Sequence, residues 1–127
     1  VNFELEIIPD LKKTKNLSEE QQKEKEGELI LNKITAQDQL ILLDENGKEL
    51  NSLKFADYLQ KKMNSGIKTL VFVIGGPYGF SEAVYAKAQG KVSLSKMTFS
   101  HQMIRLFITE QIYRGFTILR NEPYHHR

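Results

Sequence analysis

Two stretches of this chain, Gln39 to Leu43 and Thr69 to Ile74, are short runs dominated by aliphatic side chains, and each is followed by turn residues and then by a helix-period segment. An apolar run of five or six residues is too short for a buried helix and reads as a strand covered on both faces. Two such strands joined through one helix form a right-handed β-α-β crossover. The chain is therefore expected to be α/β, with a mainly parallel sheet and helices flanking it.

The remaining pattern extends this alternation. Val1, Phe3, Leu5 and Ile7 alternate with polar residues, the signature of a half-buried strand, and Pro9 ends it near a sheet edge. Ser18 followed by Gln21 is a capping box that opens a helix through about Asn32, with Leu29, Ile30 and Ile34 expected to pack at its C-terminal end. Asp44-Glu45-Asn46-Gly47 supplies the turn after the Gln39 to Leu43 strand. Ser52 begins a helix with Phe55, Leu59 and Met63 at spacing four, and Gly66 ends it. A short helix from Ser81 to about Ala88 and a short strand from Val92 to Leu94 follow. Ser100 can cap the last long helix, in which Met103, Ile104, Phe107, Ile108 and Ile112 outline one wide apolar face. Asn121 to Arg127 has no periodicity. Without a repeat or linker, the 127 residues are expected to form one domain.

Composition narrows the function classes. A domain this small buries roughly 65% of the surface its unfolded chain exposes, so a partner chain would add useful burial and an oligomer is expected. There is no Cys, which removes disulfides, thiolate nucleophiles and Cys-based zinc sites; no metal is expected. The longest apolar run, Leu70 to Ile74, falls far short of the ~20 residues a membrane span needs, and no signal-like segment opens the chain, so a cytoplasmic protein is expected. The first residue is Val rather than Met, which points to a trimmed start.

Net charge is +2, but residues 1–86 carry −3 and residues 87–127 carry +5, and every arginine and histidine lies after position 100. Such residues can simply complement helix C-termini and solvate a surface. Alternatively they serve an anionic ligand, because the planar fork of arginine fits phosphate better than lysine does.

In parallel α/β sheets ligands bind beyond the carboxyl ends of the strands. Three segments leave strands there: Leu43 to Gly47, Gly75-Gly76-Pro77-Tyr78-Gly79, and Leu94 to Phe99. The glycine-rich loop would let a flat ligand reach the backbone, although on local pattern alone an ordinary strand-to-helix turn is the better account of it. It is neither a dinucleotide fingerprint nor a P-loop. His101 opens the last helix, where the dipole favours a neutral, proton-accepting ring, or the residue simply caps the helix. Glu110, Arg114 and the His125-His126 pair are further candidates. A serine hydrolase is excluded for want of a G-x-S-x-G elbow.

Taken in order, Gly75-Gly76-Pro77-Tyr78-Gly79, Leu94-Ser95-Lys96-Met97-Thr98-Phe99-Ser100-His101, Glu110-Gln111-Ile112-Tyr113-Arg114 and Pro123-Tyr124-His125 resemble the RlmH family of SPOUT methyltransferases. The resemblance runs over essentially the whole chain from Val1, and it implies that the family's first strand and helix are missing before it. One departure is Ser100, where the family commonly has Pro; the change frees a backbone dihedral and adds a capping hydroxyl.

The resemblance implies a SPOUT fold with a C-terminal trefoil knot, S-adenosylmethionine bound in that knot, and a homodimer. It also implies N3-methylation of a pseudouridine in the helix 69 loop of 23S rRNA on the assembled 70S ribosome. Carried onto matching positions, the cofactor contacts would be Leu43, Gly75 with Gly76 beside it, and Leu94, Ser95, Lys96, Met97, Thr98 and Phe99. We assign His101 as the base, Arg114 as the holder of a phosphate or developing negative oxygen, and Tyr124 and His125 as RNA contacts. The competing readings are a non-catalytic knotted RNA-binding or assembly protein and a generic nucleotide-binding module.

Overall fold

The computed structural model describes residues 18–67, 69–75 and 79–125, and of His101 the backbone alone. The expected strand at Val1 to Ile7 lies outside the described residues, as do Gly76, Pro77, Tyr78 and His126. The described chain runs α1 (Glu19–Lys33), β1 (Asp38–Glu49), α2 (Ser52–Asn64), β2 (Thr69–Ile74), α3 (Glu82–Lys87), β3 (Gly90–Ser93) and α4 (His101–Leu119).

Local chemistry sets these boundaries. The Ser18 hydroxyl accepts from the Gln21 N–H at 3.1 Å and the Gln21 side chain accepts from the Ser18 N–H at 3.0 Å, so the capping box at α1 is closed. α2 begins at Ser52 as expected, but Asn51 is its cap, accepting from the Lys54 N–H at 2.8 Å. α2 ends at Asn64 with Ser65 as its C-cap, and Gly66, whose φ of 81° is open to glycine at little cost, turns the chain away just beyond it. Ser81 and Ser100 cap α3 and α4 through their hydroxyls.

The three strands are all parallel, in the order β2-β1-β3. Central β1 has neighbours on both sides, and Leu40, Ile41 and Leu42 are fully buried. Alternation along the strand sends Ile41 to one face and Leu40 and Leu42 to the other. Ile41 joins Leu70 and Val92 against Phe55 and Leu59 of α2 and Ile108 and Ile112 of α4. On the opposite face Leu40, Leu42 and Val73 pack with Ile30 of α1 and Val84 of α3. Each such side chain contributes about 1.5–3 kcal/mol through burial. The result is the expected α/β architecture, a parallel sheet between two helical layers.

Three expectations need correction. The Asp44 to Gly47 segment does not end β1: Leu43 and Lys48 both register with Val92, so these four residues bulge out and the ladder then resumes to Glu49. Gly47 permits this, because a Cβ there would lie 2.8 Å from the backbone of Lys91 and Val92. β3 starts at Gly90 rather than Val92, because Gln89 extends the ladder; its amide oxygen accepts from the Leu40 N–H at 2.6 Å and its own N–H donates to the Leu40 carbonyl at 2.9 Å. β3 also stops at Ser93, whose hydroxyl donates to the Ser95 carbonyl at 3.0 Å and turns the chain. In α4 the packed face is narrower than expected: Ile108, Ile112 and Thr117 are buried, while Met103 is exposed.

Candidate active site

At the carboxyl edge of the sheet lies a cleft of about 450 Å³, to which the β1 bulge, the end of β2 and the segment beyond β3 contribute. From β1 come Leu43, Asp44, Glu45 and Asn46; from the end of β2 come Ile74 and Gly75; from beyond β3 come Leu94, Ser95, Met97, Thr98 and Phe99. Gly79, Phe80 and Tyr85 close one side, and Ile104 in the first turns of α4 closes another. Parallel pairing produces this convergence, since it brings the ends of all strands to one edge.

The loops are tied to one another. Lys96 Nζ donates to the Glu45 carbonyl at 3.0 Å, and the Thr98 hydroxyl donates to Glu45 Oε2 at 3.3 Å. The Ser95 hydroxyl accepts from the Met97 N–H at 2.9 Å, which sets the curvature of the loop. Across the cleft, the Tyr85 hydroxyl donates to Asp44 Oδ2 at 2.6 Å. Burial above all, followed by this hydrogen bond and the Asp44 charge, pushes the Tyr85 phenol up to about 12. Tyr85 therefore stays a donor throughout the neutral range.

Of the cofactor positions read from the sequence, Leu43, Gly75, Leu94, Ser95, Met97, Thr98 and Phe99 line this cleft. Lys96 holds the rim from outside the lining, and Gly76 lies outside the described residues. Gly75 is small for a reason other than ligand approach: a Cβ there would lie 2.9 Å from the buried Phe80 ring. Sequence reading placed the segment Leu43 to Gly47 at this edge but named only Leu43 from it as a contact, treating Asp44 and Glu45 as turn residues. It had no signal for Tyr85.

Arg114, Tyr124 and His125 form a second cluster. Arg114 donates from Nε and Nη2 to Glu110 Oε1 at 2.9 and 2.7 Å, the i, i+4 pair that the helix spacing allows. That hydrogen bond and the Glu110 charge raise the guanidinium pKa, against a smaller opposing effect of burial. The Tyr124 ring lies 4.7 Å from the guanidinium carbon, and Nη1 of Arg114 meets His125 Nδ1 at 3.0 Å. His101 and Arg114 lie on one helix thirteen residues apart, about 20 Å along its axis. One chain does not bring these two positions together.

Beside the cleft is an apolar hollow of about 760 Å³ between the β1–α2 junction and α4, walled by Leu50, Phe55, Phe99, Leu106 and Phe107 with Glu110 and Gln111 at its edge. Among the described residues no helix is long and apolar enough to cross a membrane. Nor is any group of three or more His, Asp or Glu placed to hold a metal ion.

A parallel sheet with a cleft built from three strand-end loops is the framework of a ligand-binding α/β domain, and sequence comparison specifies the class. The chain belongs to the SPOUT methyltransferase family: residues 1–125 match the family described as "Predicted SPOUT methyltransferase". Within that class it is 77% identical over 127 residues to "Ribosomal RNA large subunit methyltransferase H" of Flavobacterium johnsoniae, covering all of this chain and 81% of that protein. Proteins of the same name from Christiangramia forsetii and Parabacteroides distasonis are 69% and 68% identical, over 100% and 99% of this chain and 81% and 80% of their own length. The family resemblance drawn from the four ordered motifs is borne out.

Proposed function

We propose that this chain is an S-adenosylmethionine-dependent ribosomal RNA methyltransferase. Its target in this reading is N3 of a pseudouridine in the helix 69 loop of 23S rRNA, on the assembled 70S ribosome in the cytoplasm. The observation that carries the reading is the convergence of the three strand-end loops on one cleft in a chain closely similar to enzymes named for ribosomal RNA methylation.

The cleft fits S-adenosylmethionine. Its volume lies within the range of small-molecule pockets, Ile74, Phe80, Leu94 and Phe99 offer apolar walls for a flat adenine, and Asp44 and Glu45 place carboxylates where a cationic ligand benefits. When bound, S-adenosylmethionine supplies a methyl group on an already electrophilic sulfonium. The residues of this chain mainly position the target and exclude water. His101, at the positive end of α4, is our candidate to take the N3 proton. Arg114 would hold a phosphate or the oxygen that gains charge, and Tyr124 and His125 would contact the unpaired RNA loop.

Two further features belong to the proposal. A C-terminal trefoil knot is supported by membership of the SPOUT family; the bulge and the segment after β3, which would border it, are joined through Lys96 and Thr98. A homodimer is supported by the apolar face that α4 leaves open at Met103, Leu106 and Tyr113. Packed antiparallel about a two-fold axis, two copies of α4 would set the Arg114 end of one beside the cleft of the other, closing the 20 Å gap.

The test is transfer of label from S-adenosylmethionine to intact ribosomes lacking this modification, with free 23S rRNA as comparison. Label confined to ribosomes and mapped to the helix 69 pseudouridine is the expected result. Cofactor binding without any label on RNA would instead favour a non-catalytic scaffold.

A further inference from the structure

A guanidinium has five N–H donors and no acceptor, so any ring nitrogen within hydrogen-bond distance of it must offer a lone pair. Arg114 Nη1 and His125 Nδ1 lie 3.0 Å apart. In a neutral imidazole only one nitrogen is bare, so the His125 proton then sits on Nε2.

The surroundings hold Arg114 in the orientation this requires. Nε and Nη2 are both occupied by Glu110 Oε1, which leaves Nη1 for the histidine. Glu110 is fixed in turn through Oε2, which accepts from Gln111 Nε2 at 2.9 Å, and Gln111 Oε1 accepts from the Ser52 hydroxyl of α2 at 2.8 Å. The tail is clamped as well: the Tyr124 hydroxyl donates to Glu110 Oε1 at 3.2 Å, and the Tyr124 ring packs edge-on against Tyr113 at 4.9 Å between centroids. A carboxylate anchored from a neighbouring helix therefore sets a guanidinium, and the guanidinium sets a ring.

We propose that Glu110 is a positioning residue that, through Arg114, holds His125 as the neutral Nε2–H tautomer, so that the tail offers the target base a hydrogen-bond donor and not a proton acceptor. This rests on the RNA methyltransferase reading and assigns a chemical role within it. A uracil-type ring has carbonyls on both sides of N3, and loss of the N3 proton spreads negative charge onto those oxygens. A fixed N–H aimed at one of them strengthens its bond as that charge develops, which lowers the barrier without a second base.

Nitrogen-15 NMR of the histidine rings in the full chain reads the tautomer directly, with His125 assigned from a His125→Gln variant. The expected spectrum at neutral pH shows His125 Nδ1 unprotonated and Nε2 protonated. In Glu110→Gln the ring should average between tautomers, and methyl transfer to ribosomes should fall about tenfold, the lower end of the range for partners that orient a functional group. His125→Gln keeps an N–H near the Nε2 position and should retain at least about tenfold more activity than His125→Asn, since loss of one such donor is a hundredfold effect or more.

A wild-type ring that averages between tautomers, or that carries its proton on Nδ1, overturns the proposal. So does a Glu110→Gln protein in which ring and rate are both unchanged. The spectrum needs no substrate, so the two readings separate: a locked ring in a chain that methylates no ribosome discards the functional reading, and an averaged ring in an active chain discards this inference alone.

Discussion

Tyr85 shows how a single side chain can join two parts of the cleft and how little of that is visible in sequence. Its hydroxyl donates to Asp44, its ring packs edge-on against Phe80 at 5.8 Å, and Lys91 Nζ lies 5.4 Å from the ring centre. In the unfolded chain the phenol ionises near its ordinary value of about 10, whereas burial and then Asp44 push it up to about 12 in the fold. The folded state thus holds the proton more tightly. This contribution to stability is fully present below pH about 10 and is lost as the pH rises through about 12. Tyr58 and Tyr124 are also shifted upward, so ultraviolet titration should be read against Tyr85→Phe to isolate the late Tyr85 ionisation, and Asp44→Asn should lower its midpoint while leaving it above the ordinary value, because burial remains. An unmoved midpoint would remove Asp44 as a cause. Asp44 stands forty-one residues from its partner, so nothing local distinguished it from a turn residue. Gly75 is the converse case: the sequence marked the position, but the reason for it, the packing of the Phe80 ring, is a contact that local pattern does not show.

Among the elements, those governed by local signals were readable and those governed by contact were not. Capping hydroxyls and period-four apolar spacing located α1, α2 and α4, because a helix closes its hydrogen bonds within itself. β1 was read as ending at Leu43, since Asp-Glu-Asn-Gly has the composition of a turn. The structure instead bulges those four residues and rejoins the ladder, because β3 offers Val92 to both Leu43 and Lys48. That second pairing depends on Gly47, where the conflict created by a Cβ is with backbone atoms, which have little room to give. Gly47→Ala should therefore cost about 1–3 kcal/mol, the usual size of an overpacking penalty. Urea unfolding would show a lower midpoint with an unchanged slope. Gly66 is constrained for a different reason: nothing lies within 4 Å of a Cβ there, but its φ of 81° disfavours any L side chain. A Gly47→Ala protein as stable as the parent would mean that the crossing of the bulge over β3 is looser than described.

At the scale of the whole molecule, the small size of the chain already implied a partner, and α4 shows where one would sit. Its inner face meets α2 so closely that a Cβ on Gly115 would lie 2.9 Å from Leu59, yet its outer face leaves Leu106 60% and Tyr113 52% exposed. The sequence could not separate these two faces, because apolar residues cover more than half the circumference of the helix and periodicity alone does not say which sector is packed. The proposed two-fold pairing through the outer face would explain both the exposed stripe and the distance between His101 and Arg114 on one helix. Leu106 lies outside the lining of the strand-end cleft, so a charge there should break the proposed dimer without disturbing that cleft. We expect Leu106→Glu to sediment as a monomer, to bind S-adenosylmethionine with nearly parental affinity, and to lose methyl transfer by about 100-fold or more, as when an essential stabilising group is withdrawn from the transition state. A monomeric variant with full activity would show that each chain works alone and that His101 and Arg114 do not serve the same target. A parent protein already monomeric at working concentration would remove the dimer and require the tail cluster to meet RNA at a place apart from the cleft.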